Sequence, residues 1–203
     1  VKIGLFGGTF DPIHRGHVDP VRHARRALGL ERVVYLPTAV PPHKRTRHLP
    51  VAPALARYAM VELALLHEEG LCASGYELTL DRPAYTAETL DHFGREMPDA
   101  DLHLVIGSDS FLDLPQWHRW RDIAAMAKLV VLSRPGSDPA AGFAAGSELA
   151  ALAASGRVHV VAQAPEEVSS TALREILARG ERPPAGWMAD LVLDFAEKYT
   201  LYR

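Results

Sequence analysis

Short β-branched runs alternate with longer amphipathic stretches along this chain, and no other feature limits its fold as strongly. The runs "VKIGLF" (1–6), "RVVYLPT" (32–38), "YELTL" (76–80), "DLHLVIG" (101–107), "KLVVLSR" (128–134) and "RVHVVAQ" (157–163) read as strands. Helical periodicity occupies "HVDPVRHARRALGL" (17–30), with Pro20 in its first turn, then 51–69, 86–97, 119–127, 147–155 and two final stretches, "STALREILARG" and "WMADLVLDFAEKY". Strand-then-helix repeats imply parallel strands joined by crossover helices. The expected fold class is therefore α/β, a doubly wound, mostly parallel sheet with helices on both faces. Ligands of such sheets sit beyond the carboxyl ends of the strands, near the point where strand order reverses.

Bulk properties narrow the function before any motif is read. At 203 residues the expectation is a single domain spanning 1–203. The hydrophobic share of 48% and charged share of 23% exclude a disordered or fibrous chain. A formal charge of −3 gives no global basic field, so nucleic acid is not an expected partner. One cysteine, Cys72, excludes an internal disulfide and a cysteine-based metal cluster. No run of 18 apolar residues is present, which predicts a cytoplasmic protein without a membrane partner. Composition leaves homo-oligomerisation open.

The chemistry concentrates after the first strand, in "FGGTFDPIHRGH" (6–17). Gly7 and Gly8 lie where strand turns to helix, and glycine there permits positive φ and close approach of a ligand to the main chain. Phosphate binds readily at such a turn, because backbone N–H groups and the helix dipole converge on it. The dipole supplies only about 0.3–1 kcal/mol, too little for a triphosphate, so further donors are required. His14 and His17 are three apart and share a helical face that Gly16 keeps open, placing two imidazoles toward polyphosphate oxygens. Two histidines are too few for a zinc site, and no third ligand is evident. The expected metal set among side chains is empty.

"GGTFDPIHRGH" resembles the signature of the nucleotidyltransferase superfamily, with its H-x-G-H element. "VSSTALRE" (168–175) resembles a second element of that superfamily, the I-S-S-T-x-[IV]-R motif. Ser169, Ser170 and Thr171 supply hydroxyls and a helix cap, and Arg174 stands on the same face as Thr171. Three further stretches, "VPPHK" (40–44), "RPAYTAETL" (82–90) and "IGSDSFLDLPQWHRW" (106–120), extend the likeness to bacterial nicotinate-nucleotide adenylyltransferases along essentially the whole chain. Only "VDPVRHAR" after the second histidine departs from the family, through Asp19 and Pro20.

The resemblance implies a Rossmann-like nucleotidyltransferase fold and a transfer of adenylyl from ATP to nicotinate mononucleotide, in NAD biosynthesis. It implies His14, His17, Lys44 and Arg174 as catalytic residues. It implies an ATP site of Gly7, Gly8, Thr9, Phe10, His14, His17, Arg134, Ser170, Thr171 and Arg174. Lys44, Tyr85, Thr86, Gly107, Asp109 and Trp117 would hold the pyridine nucleotide. Thr86 is expected to cap a helix, Asp109 to meet ribose hydroxyls, Trp117 to stack on the pyridine and Trp120 to sit in the core. Magnesium (Mg2+) is expected mainly through the ATP phosphates, since no carboxylate cage is visible. The rivals are adenylyl transfer to another acceptor, nicotinamide mononucleotide or phosphopantetheine, and a non-catalytic nucleotide sensor. An RNA-binding module lacks the basic excess it would need.

Overall fold

The computed structural model describes residues 1–39, 52–80, 82–133, 146–164 and 167–203. Its strands are β1 (Lys2–Gly8), β2 (Arg32–Pro37), β3 (Leu71–Ala73), β4 (Asp101–Gly107), β5 (Lys128–Ser133) and β6 (Val158–Ala162). The helices are α1 (Arg15–Leu28), α2 (Ala54–Leu65), α3 (Thr86–Glu96), α4 (Ser108–Leu112), α5 (Trp120–Met126), α6 (Glu148–Ala154), α7 (Ser170–Ala178) and α8 (Asp190–Lys198). The six strands form one sheet in the order β3-β2-β1-β4-β5-β6. Its β1–β4, β4–β5 and β5–β6 ladders run parallel. Strand order therefore reverses at β1, and the residues beyond the carboxyl end of β1 occupy the position where such sheets take their ligands. Among the described residues, no helix is long and apolar enough to cross a membrane.

The chain divides into two compact units. One comprises Val1–Phe6, Pro20–Val33 and Tyr85–Pro165. Its strands β4 and β5 are buried along nearly their whole length, which suits their continuous apolar runs and sheet faces covered on both sides. Here Gly4 has no room for a side chain, because a Cβ would stand 2.9 Å from Val33 Cγ2 and 3.2 Å from Leu30 Cδ1. The other unit comprises Gly7–Asp19, Val34–Ala84 and Glu166–Arg203. In it α2 packs on α8 and on β3.

Local chemistry corrects several boundaries. "YELTL" is not a strand: Tyr76–Thr79 forms a 3-10 turn. The turn is closed by Leu78 N–H to Gly75 O at 2.9 Å and by the Thr79 hydroxyl to Tyr76 O at 2.7 Å. The strand lies earlier, at Leu71–Ala73, directly after Gly70 with φ 73°. α1 begins two residues before the predicted start, so Pro20 lies inside the helix and removes one bond of its ladder. β4 runs into α4 without an intervening loop, which places Asp109 in a helical first turn.

Gly4→Ala is expected to destabilise the protein by roughly 1–3 kcal/mol, as an added methyl meets fully buried Val33. Urea unfolding measures it, and an unchanged midpoint would show that β1 and Val33 can part.

Candidate active site

The loop between β1 and α1 is held by arginines from distant parts of the chain. Arg57 of α2, 1% exposed, donates from Nη1 to Thr9 O at 2.7 Å. Its Nη2 donates to Thr38 O at 2.7 Å and Ala39 O at 3.2 Å, and its Nε to Ala52 O at 3.0 Å. One guanidinium thus ties the loop to the end of β2 and the entrance of α2. Arg174 of α7 donates from Nη1 to Asp11 O at 2.6 Å and from Nη2 to Thr171 Oγ1 at 3.2 Å. The Ser170 hydroxyl donates to Pro12 O at 3.0 Å. The Asp11–Pro12 peptide is cis. Asp11 itself is 1% exposed, and its Oδ1 accepts from Tyr202 Oη at 2.7 Å and from Ala52 N–H at 3.1 Å.

Next along the loop stand the two histidines. Their ring centroids are 3.8 Å apart, inclined at 36°. The His14 N–H donates to His17 Nδ1 at 3.3 Å, and the His17 N–H donates to His14 O at 2.8 Å. Because Nδ1 of His17 accepts, the proton of its neutral ring sits on Nε2, which becomes its outward donor. His14 Nδ1 is buried and meets no hydrogen-bonding group among the described residues. Burial lowers His14 from 6.5 to about 4. His17 lies well below its ordinary value, through burial first and the charge of His14 second. Both imidazoles are therefore neutral near pH 7.

The glycines act differently from the sequence expectation. Neither Gly7 nor Gly8 has a positive φ; the left-handed residue of this loop is Phe10, at φ 48°. A Cβ on Gly8 would stand 2.8 Å from Phe10 Cζ, so this glycine makes room for the phenyl ring. That ring meets His17 edge-on at 5.2 Å and lies 5.6 Å from Tyr35, whose hydroxyl donates to His17 O at 2.9 Å. Phe10 is 2% exposed, so what it can offer a nucleotide is its main chain. A Cβ on Gly16 would stand 3.0 Å from His14 Cε1 and Nδ1; Gly16 therefore seats the His14 ring and does not merely open a face. Gly7 faces open space. The α1 amides are not all available either, since Arg15 N–H donates to Trp187 O at 2.9 Å. α7 is capped by Ser169, whose side chain accepts from Ala172 N–H at 3.1 Å. Exposed Thr171 and half-buried Ser170 stand in its first turn.

The structure thus brings Thr9, Phe10, His14, His17, Ser170, Thr171 and Arg174 into one unit, with bonds spanning 158 and 163 residues. Tyr85, Thr86, Gly107, Asp109 and Trp117 belong to the other unit. There the Tyr85 ring lies 4.7 Å from that of His118, at 42°. Tyr85, not Thr86, occupies the cap position of α3, and no side chain bonds there. Trp117 closes a 3-10 turn by donating its N–H to Leu114 O at 2.9 Å. Trp120 is half-buried with the Arg121 guanidinium 4.9 Å above its ring, so it is not a core residue. Asp109 is exposed, and a Cβ on Gly107 would face open space. Lys44 and Arg134 lie outside the described residues. Sequence reasoning missed Asp11, Arg57 and Tyr202; the signal for Arg57 was a lone cation in the apolar stretch "ALARYAMVELAL".

A family model for cytidylyltransferase-like proteins matches residues 5–176. A Shewanella sp. (strain ANA-3) protein named "Probable nicotinate-nucleotide adenylyltransferase" is 37% identical, over 100% of this chain and 99% of its own length. An Aeromonas hydrophila protein of the same name is 41% identical, over 99% of this chain and 97% of its own. The chain belongs to the nicotinate-nucleotide adenylyltransferase family. The fold agrees with that of Plasmodium falciparum nicotinic acid mononucleotide adenylyltransferase complexed with NaAD: TM-score 0.73, 15% identity, covering 99% of this chain and 97% of that one.

The neutral imidazoles make stability pH-dependent. The unfolded chain protonates His14 near 6.5, whereas the folded chain resists until about 4. Stability is complete above the unfolded value and falls as pH drops through this window, by up to about 1.4 kcal/mol per pH unit for each such group. Urea titrations at about pH 7.5 and pH 5 should show this loss, and His14→Gln should reduce it. Equal losses in both proteins would mean that His14 is not held neutral.

Proposed function

We propose that this chain transfers the adenylyl group of ATP to nicotinate mononucleotide, releasing pyrophosphate and forming nicotinate adenine dinucleotide. The observation that carries the reading is the direct bonding of Arg174 and Ser170 to the loop that ends in the His14–His17 pair. Two short elements far apart in sequence thus converge on one set of donors, all suited to phosphate oxygens.

In the reaction, a phosphate oxygen of the mononucleotide attacks the α-phosphorus of ATP, and the bond to the oxygen bridging to the β-phosphate breaks. That nucleophile is already anionic near neutral pH, so no side chain need act as general base. Catalysis then rests on alignment, which can supply about 7–11 kcal/mol, and on charge stabilisation. His17 Nε2–H and the His14 ring donate to the reacting and leaving phosphates. Gly7, which faces open space, lets phosphate approach the main chain. Thr171, Arg174 and the main-chain N–H groups of Ser170 and Thr171 take the β- and γ-phosphates, while the Ser170 hydroxyl stays on Pro12 O and the Ala172 N–H on Ser169. The family resemblance assigns Lys44 to phosphate and Arg134 to the adenine, and both lie outside the described residues.

Tyr85, Thr86, Gly107, Asp109 and Trp117 hold the pyridine nucleotide. A carboxylate at the amide end of α3 is favoured over a neutral amide, which selects the acid. Magnesium fits as a passenger of the triphosphate. Among the described residues no three His, Cys, Asp or Glu side chains gather to hold a metal. When bound, the ion neutralises phosphate charge.

Pyrophosphate release with ATP and either the acid or the amide mononucleotide tests the reading. Turnover with the acid, and much less with the amide, is expected; equal rates would remove the acid preference, and none would remove adenylyl transfer. His17→Ala should leave the fold intact and lower kcat by roughly 10²–10³. A folded variant with near-normal turnover would take His17 out of the mechanism.

A further inference from the structure

Asp11 and Arg174 form a pair that the structure keeps from closing. The carboxylate Oδ2 lies 3.8 Å from Arg174 Nη1. Oδ2 and Arg174 Nε are both buried, and neither has a hydrogen-bond partner among the described residues. A buried carboxylate and a guanidinium ordinarily close into a two-pronged pair. Here each keeps one buried atom without a partner among the described residues.

What restrains the carboxylate is its other oxygen. Oδ1 accepts from Ala52 N–H at 3.1 Å and from the Tyr202 hydroxyl at 2.7 Å, across 191 residues. Tyr202 reaches it through a constrained turn after α8. Thr200 and Tyr202 both adopt the left-handed region, at φ 53° and 74°, and Leu201 N–H donates to Ala196 O at 2.9 Å. Non-glycine residues persist there only where the surroundings enforce it. Burial, and then Asp11, raise the Tyr202 phenol, so it remains a donor across the working pH range.

We infer that Tyr202 is a positioning residue: by holding Asp11 Oδ1 it stops the carboxylate from capturing Arg174, and so keeps that guanidinium available to the ATP phosphates. This rests on the adenylyl-transfer reading above. Without the hydroxyl, the nearest cation within reach of the under-solvated carboxylate is Arg174, and the pair closes at the expense of phosphate.

The test is Tyr202→Phe, alone and in an Asp11→Asn background, assayed by pyrophosphate release with each substrate varied. In the single variant kcat should fall about tenfold and the KM for ATP should rise, with the KM for nicotinate mononucleotide unchanged. In the Asp11→Asn background no anion competes for Arg174, and adding Tyr202→Phe should leave kcat where Asp11→Asn alone puts it. That background also relieves the stranded charge if the single variant does not fold, so the comparison survives. Unchanged kcat in a folded single variant, an equal rise in both KM values, or an equal loss in the Asp11→Asn background would each overturn the inference. If the unaltered chain releases no pyrophosphate, it is adenylyl transfer that fails. Equilibrium ATP binding by the same proteins then decides the role of Tyr202, with weaker binding only where Asp11 is intact supporting it and no change overturning it.

Discussion

The geometry of the candidate site depends on the Arg57 guanidinium being buried and committed to backbone carbonyls. Arg57 meets the carbonyls of Thr9, Thr38, Ala39 and Ala52, so one side chain fixes the exit of β1, the exit of β2 and the entrance of α2. A lysine has no planar fork and cannot span these acceptors at once. Burying the cation is costly, and leaving one of its N–H groups unpaired costs about 1–3 kcal/mol, or more for a charged group. Desolvation lowers Arg57, and the charges of Asp11 and Tyr202 offset part of that effect. Arg174, Ser170 and Tyr202 then act on a loop that is already fixed at Thr9.

Loop rigidity passes to the imidazoles through apolar contact. Gly8 has no side chain, which admits the Phe10 ring; the Phe10 ring supports His17; and Tyr35 fixes the His17 carbonyl. Phe10 accepts a left-handed backbone, φ 48°, to place its ring there. That strain, of order 1–3 kcal/mol, is tolerated where packing over-determines the conformation. The glycines of this loop therefore serve close packing between protein groups as much as the approach of a ligand.

Strand–helix alternation was legible because β4 and β5 are buried on both faces and leave an unmistakable apolar record. "YELTL" misled because its alternation is real, yet the Ser74 and Thr79 hydroxyls bond local backbone groups and close a 3-10 turn instead. His14, His17, Ser170 and Arg174 could be picked out as candidates because each stands in a short local pattern. Arg57 and Tyr202 could not. The Tyr202 partner lies 191 residues away, and the Arg57 partners, up to 48 residues away, are carbonyls that every residue possesses. Nothing in "LARY" or "TLYR" states which backbone oxygens or distant carboxylate will be within reach.

A neutral imidazole pair looks ill suited to a polyanion, but the magnitudes argue otherwise. Lowering His14 from 6.5 to about 4 corresponds to about 3 kcal/mol of lost hydration for the charged form. One phosphate charge about 4 Å away, at an effective dielectric of about 20, returns about 4 kcal/mol. The two terms are of similar size and opposite sign. An empty loop therefore keeps both rings uncharged, which spares the fold two adjacent buried cations 3.8 Å apart. A phosphate brought against His14 would bring its protonation back within reach near neutral pH. Charge would then develop on the protein only where an anion offsets it, and the burial that makes a charged pair costly when empty would also make its response to an anion strong.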